Sequence, residues 1–184
     1  MLLERGKSQL LVVDLQEKLF PAIHGGQAVV ARAKVVIEAA RVLGVPITIS
    51  EHNPAGIGHT VAPILETAGD AAVTLAKMKF SCAADPAIGK RLAGFKRRGR
   101  PQVVVLGTES HVCVAQSALD LASRGYSVAL VEDAVGSRNP ASVETALMRM
   151  ARAGIEIVNA EMVVFEWIGD SADPVFRRLL PLIR

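Results

Sequence analysis

The chain has 184 residues, of which 51% are hydrophobic and only 4% aromatic, and its formal net charge is +3. This length predicts a single domain over residues 1–184 with one sizeable core. A membrane span requires a run of about 18 apolar residues, and the sequence contains none. Its first residues also lack the apolar core of a signal peptide. Two cysteines are too few for a disulfide framework, so we expect a cytoplasmic protein with no membrane partner.

Short apolar runs alternate with helical patterns along the whole chain. The runs are apolar throughout rather than alternating, which is typical of strands covered on both faces of a sheet. Strands alternating with helices indicate βαβ units, and therefore a three-layer α/β domain with a parallel sheet. The predicted strands are Gln9–Val13, Val45–Ser50, Val73–Ala76, Val103–Leu106, Val128–Val131 and Ile155–Val158.

The predicted helices have recognisable ends. The first carries apolar residues at helical spacing from Val29 to Leu43 and stops at Gly44. Three others begin where a capping Asp or Asn precedes a proline, which suits the first helical position. These three caps are Asp85, Asn139 and Asp173, and the last helix is broken by Pro181.

A basic cluster, Lys96 to Arg98 with Arg100, falls at the end of the helix that starts near Asp85. Positively charged side chains there interact favourably with the negative end of the helix dipole. Nucleic-acid binding would need a broader basic face with stacking aromatic side chains. We therefore expect no nucleic-acid partner.

Three reactive side chains follow predicted strands. Asp14 comes after the first strand, Lys77 after the third, and Cys113 after the fourth, in the run Gly107–Val114 that opens a helix ending at Gly125. The carboxyl ends of parallel strands collect at one edge of a sheet, so the topology brings these side chains together. The sequence therefore predicts a reactive site at this edge.

Cys113 is the candidate nucleophile of that site. Unpaired backbone N–H groups and the positive end of the helix dipole favour thiolate over thiol there, so we expect alkylation by iodoacetamide well below about pH 8. Asp14 is placed to accept the thiol proton, and Lys77 to stabilise both anions. The thiolate would attack a carbonyl carbon, N–H groups of Glu109 and Cys113 would bind the oxyanion, and water activated by Asp14 would hydrolyse the thioester.

Three segments carry a resemblance to a known family: Asp14-Leu-Gln16, Lys77-Met-Lys-Phe-Ser81 and Gly107-Thr-Glu-Ser-His-Val-Cys113-Val. Together they resemble the signature segments of the isochorismatase-like cysteine hydrolases, most closely the isochorismatase-domain-containing group, and the likeness continues to Glu161. The resemblance implies a Rossmann-like three-layer α/β/α sandwich with a mainly parallel sheet. It also implies a catalytic triad of Asp14, Lys77 and Cys113, a cis peptide bond between Thr108 and Glu109, and a homo-oligomer, dimer or larger.

The sequence matches one branch of that family, the nicotinamidases, poorly. Nicotinamidases carry an Asp-x-His metal motif after the second strand, and the equivalent stretch here, Ser50–Pro54, lacks that pair. His59 alone cannot rebuild a metal site. We therefore expect no metal and no cofactor. Isochorismatase proper cleaves a vinyl ether, which does not require the nucleophile that Cys113 offers.

Further side chains near the reactive edge are candidates to line a substrate pocket. His111, two residues before Cys113 at a helix start, is expected to point away from the thiol, which favours a structural or pocket-wall role. For the phenylalanines, core packing is the default. The candidate pocket residues are Phe20, Glu51, His52, Phe80 and His111.

These features predict a metal-independent cysteine hydrolase that cleaves a small amide or related acyl compound through a Cys113 thioester. A non-catalytic fold-mate that binds a metabolite or protein remains an alternative, as does an isochorismatase- or nicotinamidase-type hydrolase. A redox-sensing thiol is a third, but no resolving cysteine is evident, and Cys82 is expected to be a packing residue. The apolar stretch Val175–Ile183 packs either on its own sheet or on a second subunit.

Overall fold

The structure, a computed structural model, describes residues 1–183. Its centre is a parallel sheet, in which the strands are numbered in chain order. The strands are β1 (Ser8–Val13), β2 (Ile47–His52), β3 (Ala72–Lys77), β4 (Gln102–Thr108), β5 (Ser127–Gly136) and β6 (Glu156–Val158). Their spatial order is β3-β2-β1-β4-β5-β6, so β1 and β4 are neighbours at the centre.

Helices follow most strands, and short turns complete the chain. The helices are α1 (Gly26–Leu43), α2 (Pro54–Ile57), α3 (Ala62–Ala68), α4 (Pro86–Arg97), α5 (Ala115–Ser123), α6 (Pro140–Arg152), α7 (Ala160–Ile168) and α8 (Pro174–Leu179). Single 3-10 turns lie at Phe20–Ala22, Gly69–Ala71 and Leu180–Leu182, and a π-helical turn at Ser110–Val114. Within residues 1–183, none of these helices combines the length and apolar character needed to cross a bilayer.

The sheet has a separate apolar core on each face, because successive side chains of a strand point to opposite sides. Leu10 and Val12 of β1 pack on one face with α1, α3 and α7. Leu11 and Val13 pack on the other with α4, α5 and α6. The predicted three-layer sandwich is therefore confirmed.

The chain leaves the sheet in opposite directions after β1 and after β4, which makes their carboxyl ends a topological switch point. In open α/β sheets, ligands bind in the crevice at such a point. Gly107 lets β4 approach β1 closely, since it has a φ of +120° and a Cβ there would collide with the Val13 carbonyl. Asp14 follows β1 directly, so this contact sets the distance between Asp14 and the turn after β4.

The strand and helix bounds differ from the predictions where polar residues interrupt an apolar run. β5 extends to Gly136 although Glu132 and Asp133 suggested an end at Val131. The register of β4 against β5 shifts between Val105 and Gly107, which accommodates the extra residues. Helix α7 was not predicted, although the Asn159 side chain caps it by accepting from the Met162 N–H at 2.8 Å.

The last helix packs on its own domain. Leu179 is fully buried in the core that contains α1 and α7, and Val175 and Phe176 pack against the same core. The single tryptophan, Trp167 in α7, is also buried, and its indole N–H donates to Ser8 Oγ at 2.9 Å. Ser8 begins β1, so this contact marks the amino-terminal end of the sheet.

Candidate active site

Asp14 and Lys77 form a buried ion pair at the carboxyl ends of β1 and β3. Lys77 Nζ lies 2.7 Å from Asp14 Oδ2, and the two side chains are 0% and 1% exposed. Lys77 Nζ also donates to the Phe80 carbonyl oxygen at 3.3 Å. A buried charge needs a partner of this kind, since an isolated one would cost several kcal/mol.

Asp14 is fixed from both neighbouring strands. Ser50 Oγ donates to its Oδ1 at 2.6 Å from β2, and Thr108 Oγ1 donates to its main-chain carbonyl at 2.7 Å from β4. Its φ of +47° lies in the left-handed region, which aspartate and asparagine tolerate better than most residues. The backbone and both carboxylate oxygens of Asp14 therefore have defined partners.

Cys113 lies in the π-helical turn that follows β4 and is 7% exposed. Burial raises the pKa of its thiol, the negative charge of Asp14 raises it further, and Lys77 only partly offsets these effects. The expectation of a thiolate favoured by the helix start is therefore wrong. Desolvation and the Asp14 carboxylate both favour the protonated thiol over the thiolate.

Lys77 stays protonated in this cluster. Burial alone would lower the pKa of its ammonium, but the charge of Asp14 and the hydrogen bond to its carboxylate raise the pKa above the ordinary lysine value. The site therefore holds a positive charge in contact with the Asp14 carboxylate.

The turn around Glu109 presents backbone groups next to Cys113. The Thr108–Glu109 peptide bond is cis, as the family resemblance implies. The Glu109 carbonyl accepts from the N–H groups of Val112 and Val114, at 3.0 and 3.2 Å. Among the described residues, no hydrogen bond is recorded from the Glu109 N–H.

The side chains of Glu109 and His111 tie this turn to the loop after β5. Arg138 Nε donates to Glu109 Oε1 at 3.0 Å, and its main-chain N–H does so at 3.2 Å. His111 Nδ1 lies 3.0 Å from Ser137 Oγ. Both contacts hold the turn against β5 and α6.

Glu51 and Gln16 hold the loop between β2 and α3. Glu51 Oε1 accepts from the Thr60 N–H and hydroxyl at 2.7 and 2.8 Å, and its Oε2 lies 3.0 Å from His59 Nδ1. Burial would raise the pKa of Glu51, but these hydrogen bonds outweigh it and lower the pKa. Gln16 Nε2 donates to the carbonyls of His52 and Gly58, at 3.0 and 2.6 Å.

His52 and Phe80 form an aromatic pair beside Lys77. Their ring centroids are 5.2 Å apart with an interplanar angle of 27°. His52 Nδ1 is buried without a hydrogen-bond partner among residues 1–183, whereas Phe80 is about half exposed. A cavity of about 310 Å³ adjoins Lys77 and Met78 at this edge. Phe20, by contrast, packs against the core on the α1 face.

Sequence reasoning missed two polar neighbours of the site. Ser50 was read only as the end of an apolar strand, although its position beside β1 places its hydroxyl on Asp14. Cys82 was expected to be a packing residue, but its Sγ also donates to Ser50 Oγ at 3.4 Å. Residues 1–183 contain no cluster of three or more His, Cys, Asp or Glu side chains arranged to hold a metal ion.

The protein is a three-layer α/β domain built on a parallel sheet. A buried Asp–Lys pair and a cysteine at the switch point of this sheet form a candidate thiol-based site. The chain belongs to the isochorismatase domain family, whose model matches residues 8–162.

Known proteins are similar to this chain in sequence and in fold. The isochorismatase domain-containing protein 1 of Salmo salar is 35% identical over 171 residues, which cover 93% of this chain and 59% of the salmon protein. This chain thus spans less than two thirds of that relative. The structure of MAR1 ribonuclease from Caenorhabditis elegans is 32% identical with a TM-score of 0.92, covering 100% of this chain and 92% of that one. The YcaC product of Escherichia coli, described as an octameric hydrolase of unknown specificity, shares the fold with a TM-score of 0.91 at 21% identity, over 99% and 90% of the two chains.

Proposed function

We propose that this protein is a metal-independent cysteine hydrolase that cleaves a small amide or related acyl compound through a thioester on Cys113. The observation that carries the proposal is the 2.7 Å Asp14–Lys77 ion pair, buried beside the thiol at the switch point of the sheet. Membership of the isochorismatase domain family supports a hydrolase. The substrate remains defined only by the chemistry that these groups can perform.

Asp14 acts as general base in the first half of the reaction. It accepts the Cys113 proton as the sulfur attacks the carbonyl carbon, which avoids a free thiolate in a site that disfavours one. The oxyanion of the tetrahedral intermediate binds the N–H groups of Glu109 and Cys113. Asp14 then returns the proton to the leaving nitrogen, the C–N bond breaks, and the thioester remains.

Water completes the cycle in the second half. Asp14 removes a proton from the water that attacks the thioester carbonyl, and the same N–H groups bind the new oxyanion. The C–S bond breaks to release the acid, and Asp14 returns its proton to the Cys113 sulfur. Lys77 remains protonated throughout, and its charge stabilises the carboxylate and the developing thiolate.

The direct test combines a substrate screen with trapping of the acyl-enzyme. We expect wild-type protein to hydrolyse at least one compound in a panel of small amides, imides and esters, and acid-quenched samples to gain the mass of the acyl group on Cys113. In Cys113→Ala the rate should fall about 1000-fold or more, because a nucleophile cannot be replaced by binding alone. Thermal unfolding of this variant controls for loss of fold.

The same experiment separates the alternatives. Turnover that survives Cys113→Ala would favour chemistry of the vinyl-ether type, which needs no thiol. Saturable ligand binding without any Cys113-dependent turnover would favour the non-catalytic fold-mate. Assembly as a homo-oligomer and a cytoplasmic location stay predictions.

A further inference from the structure

A line of buried polar side chains leads from Asp14 through Ser50 to Cys82. Ser50 Oγ lies 2.6 Å from Asp14 Oδ1, and Cys82 Sγ lies 3.4 Å from Ser50 Oγ. Both Ser50 and Cys82 are fully buried. The Cys82 N–H donates to Ser117 Oγ at 2.9 Å, which fixes the Cys82 end of this line to α5.

The chemistry of the groups sets the direction of the hydrogen bonds. An ionised carboxylate only accepts hydrogen bonds, so Ser50 must donate its proton to Asp14. The lone pairs of Ser50 Oγ are then free to accept from Cys82. Burial and the charge of Asp14 raise the pKa of Cys82 to about 11, so Cys82 keeps the S–H that it donates. The proton order is therefore Cys82 to Ser50 to Asp14.

We propose that Ser50 and Cys82 are positioning residues, which hold the Asp14 carboxylate in the orientation needed to take the proton of Cys113. The proposal rests on the proposed function of Asp14 as the general base. Ser50 Oγ donates to Oδ1 and Lys77 Nζ donates to Oδ2. Hydrogen bonds to both oxygens therefore fix the orientation of the carboxylate.

The charged and titratable groups around Asp14 come from each element packed on it. Lys77 faces it from β3, Cys82 from the loop after β3, and Cys113 from the turn after β4. Ser50 is the neutral donor from β2. Removing this donor makes the ionised carboxylate less stable, because a hydrogen bond to the charged form favours that form.

The test compares Ser50→Ala with the pair Cys82→Ala and Cys82→Ser. In Ser50→Ala we expect kcat to fall about 10-fold with KM unchanged, because a displaced base loses reactivity but not binding. The acid limb of the kcat/KM profile should move about one pH unit higher. Cys82→Ala should show a smaller change of the same kind, and Cys82→Ser, which keeps a donor, should restore the wild-type profile.

Thr48→Val is the matched control. Thr48 lies two residues earlier on β2 and is also buried, but its hydroxyl accepts from Arg91 Nε at 3.0 Å and does not reach Asp14. This variant should keep the wild-type pH profile. A wild-type profile in Ser50→Ala, or an equal shift in Thr48→Val, would overturn the proposal.

Infrared spectroscopy tests the donor chain without substrate. The S–H stretching band of Cys82, identified by its disappearance in Cys82→Ser, should move to higher wavenumber in Ser50→Ala because its acceptor is gone. An unchanged band would overturn the proposal even if Cys113-dependent turnover is present. If the band shifts but the protein shows no Cys113-dependent turnover, the proposed function is refuted, and with it the catalytic role of Ser50 and Cys82.

Discussion

At the scale of single residues, the pKa of Cys113 governs how its thiol reacts with an alkylating reagent. Burial and the Asp14 charge raise the pKa of this thiol. We therefore expect iodoacetamide to alkylate Cys113 with a midpoint above the ordinary thiol value of about 8.5. Asp14→Asn removes the negative charge, so the midpoint should move to lower pH. Alkylation rates across pH, followed by mass spectrometry, check both expectations.

Two features make this comparison clean. Asparagine tolerates the left-handed backbone at position 14, so the substitution adds no conformational clash there. The exposed Lys79 provides a control: Lys79→Met should leave the alkylation midpoint unchanged. A wild-type midpoint well below pH 8.5 would show a preformed thiolate and contradict the structure.

At the scale of secondary-structure elements, the contact between β1 and β4 sets the site. An alanine at position 107 would place a Cβ against the Val13 carbonyl in a backbone conformation that disfavours side chains. We expect Gly107→Ala to lower the free energy of unfolding by about 4 kcal/mol or more, or to prevent folding. Gly6→Ala, where a Cβ would meet nothing within 4 Å, should change it little. Urea unfolding measures both, and equal stability would contradict the described packing.

At the scale of the whole molecule, the segment before β1 contacts the segment before α8. The Arg5 guanidinium pairs with Asp173 at 2.9 Å just before α8, and Leu179 of α8 is fully buried. Leu179→Ala should therefore cost about 2–5 kcal/mol of stability through lost burial and a cavity. Met148→Ala, at a 55% exposed position, should cost little. If the two variants unfold at the same urea concentration, α8 is not part of the cooperative unit.

The layers and the position of the candidate site could be predicted from the sequence. Apolar runs and caps are local signals, and the rule that strand ends share an edge brings Asp14, Lys77 and Cys113 together without coordinates. The length of β5 was not predictable, since Glu132 and Asp133 lie within a register shift of β5 against β4. Such a shift depends on the neighbouring strand and leaves no local signal.

The electrostatics of the site were also beyond the sequence. A cysteine at a helix start suggests a thiolate, but the balance between dipole, desolvation and carboxylate requires the actual depth of Cys113 and its neighbours. The hydroxyl of Ser50 was missed for the same reason. Whether a serine at the end of a strand faces a core or a carboxylate depends on which strand lies beside it.

The lone indole of this protein has a practical consequence. The Trp167 indole is hydrogen-bonded to Ser8 at the start of β1, whereas Asp14 follows the other end of that six-residue strand. At the rise of an extended strand, Asp14 lies about 20 Å from Ser8. We therefore expect tryptophan fluorescence to report global unfolding and to respond little to a ligand bound in the crevice. Ligand titrations on this molecule call for calorimetry or an added dye near the cysteine instead.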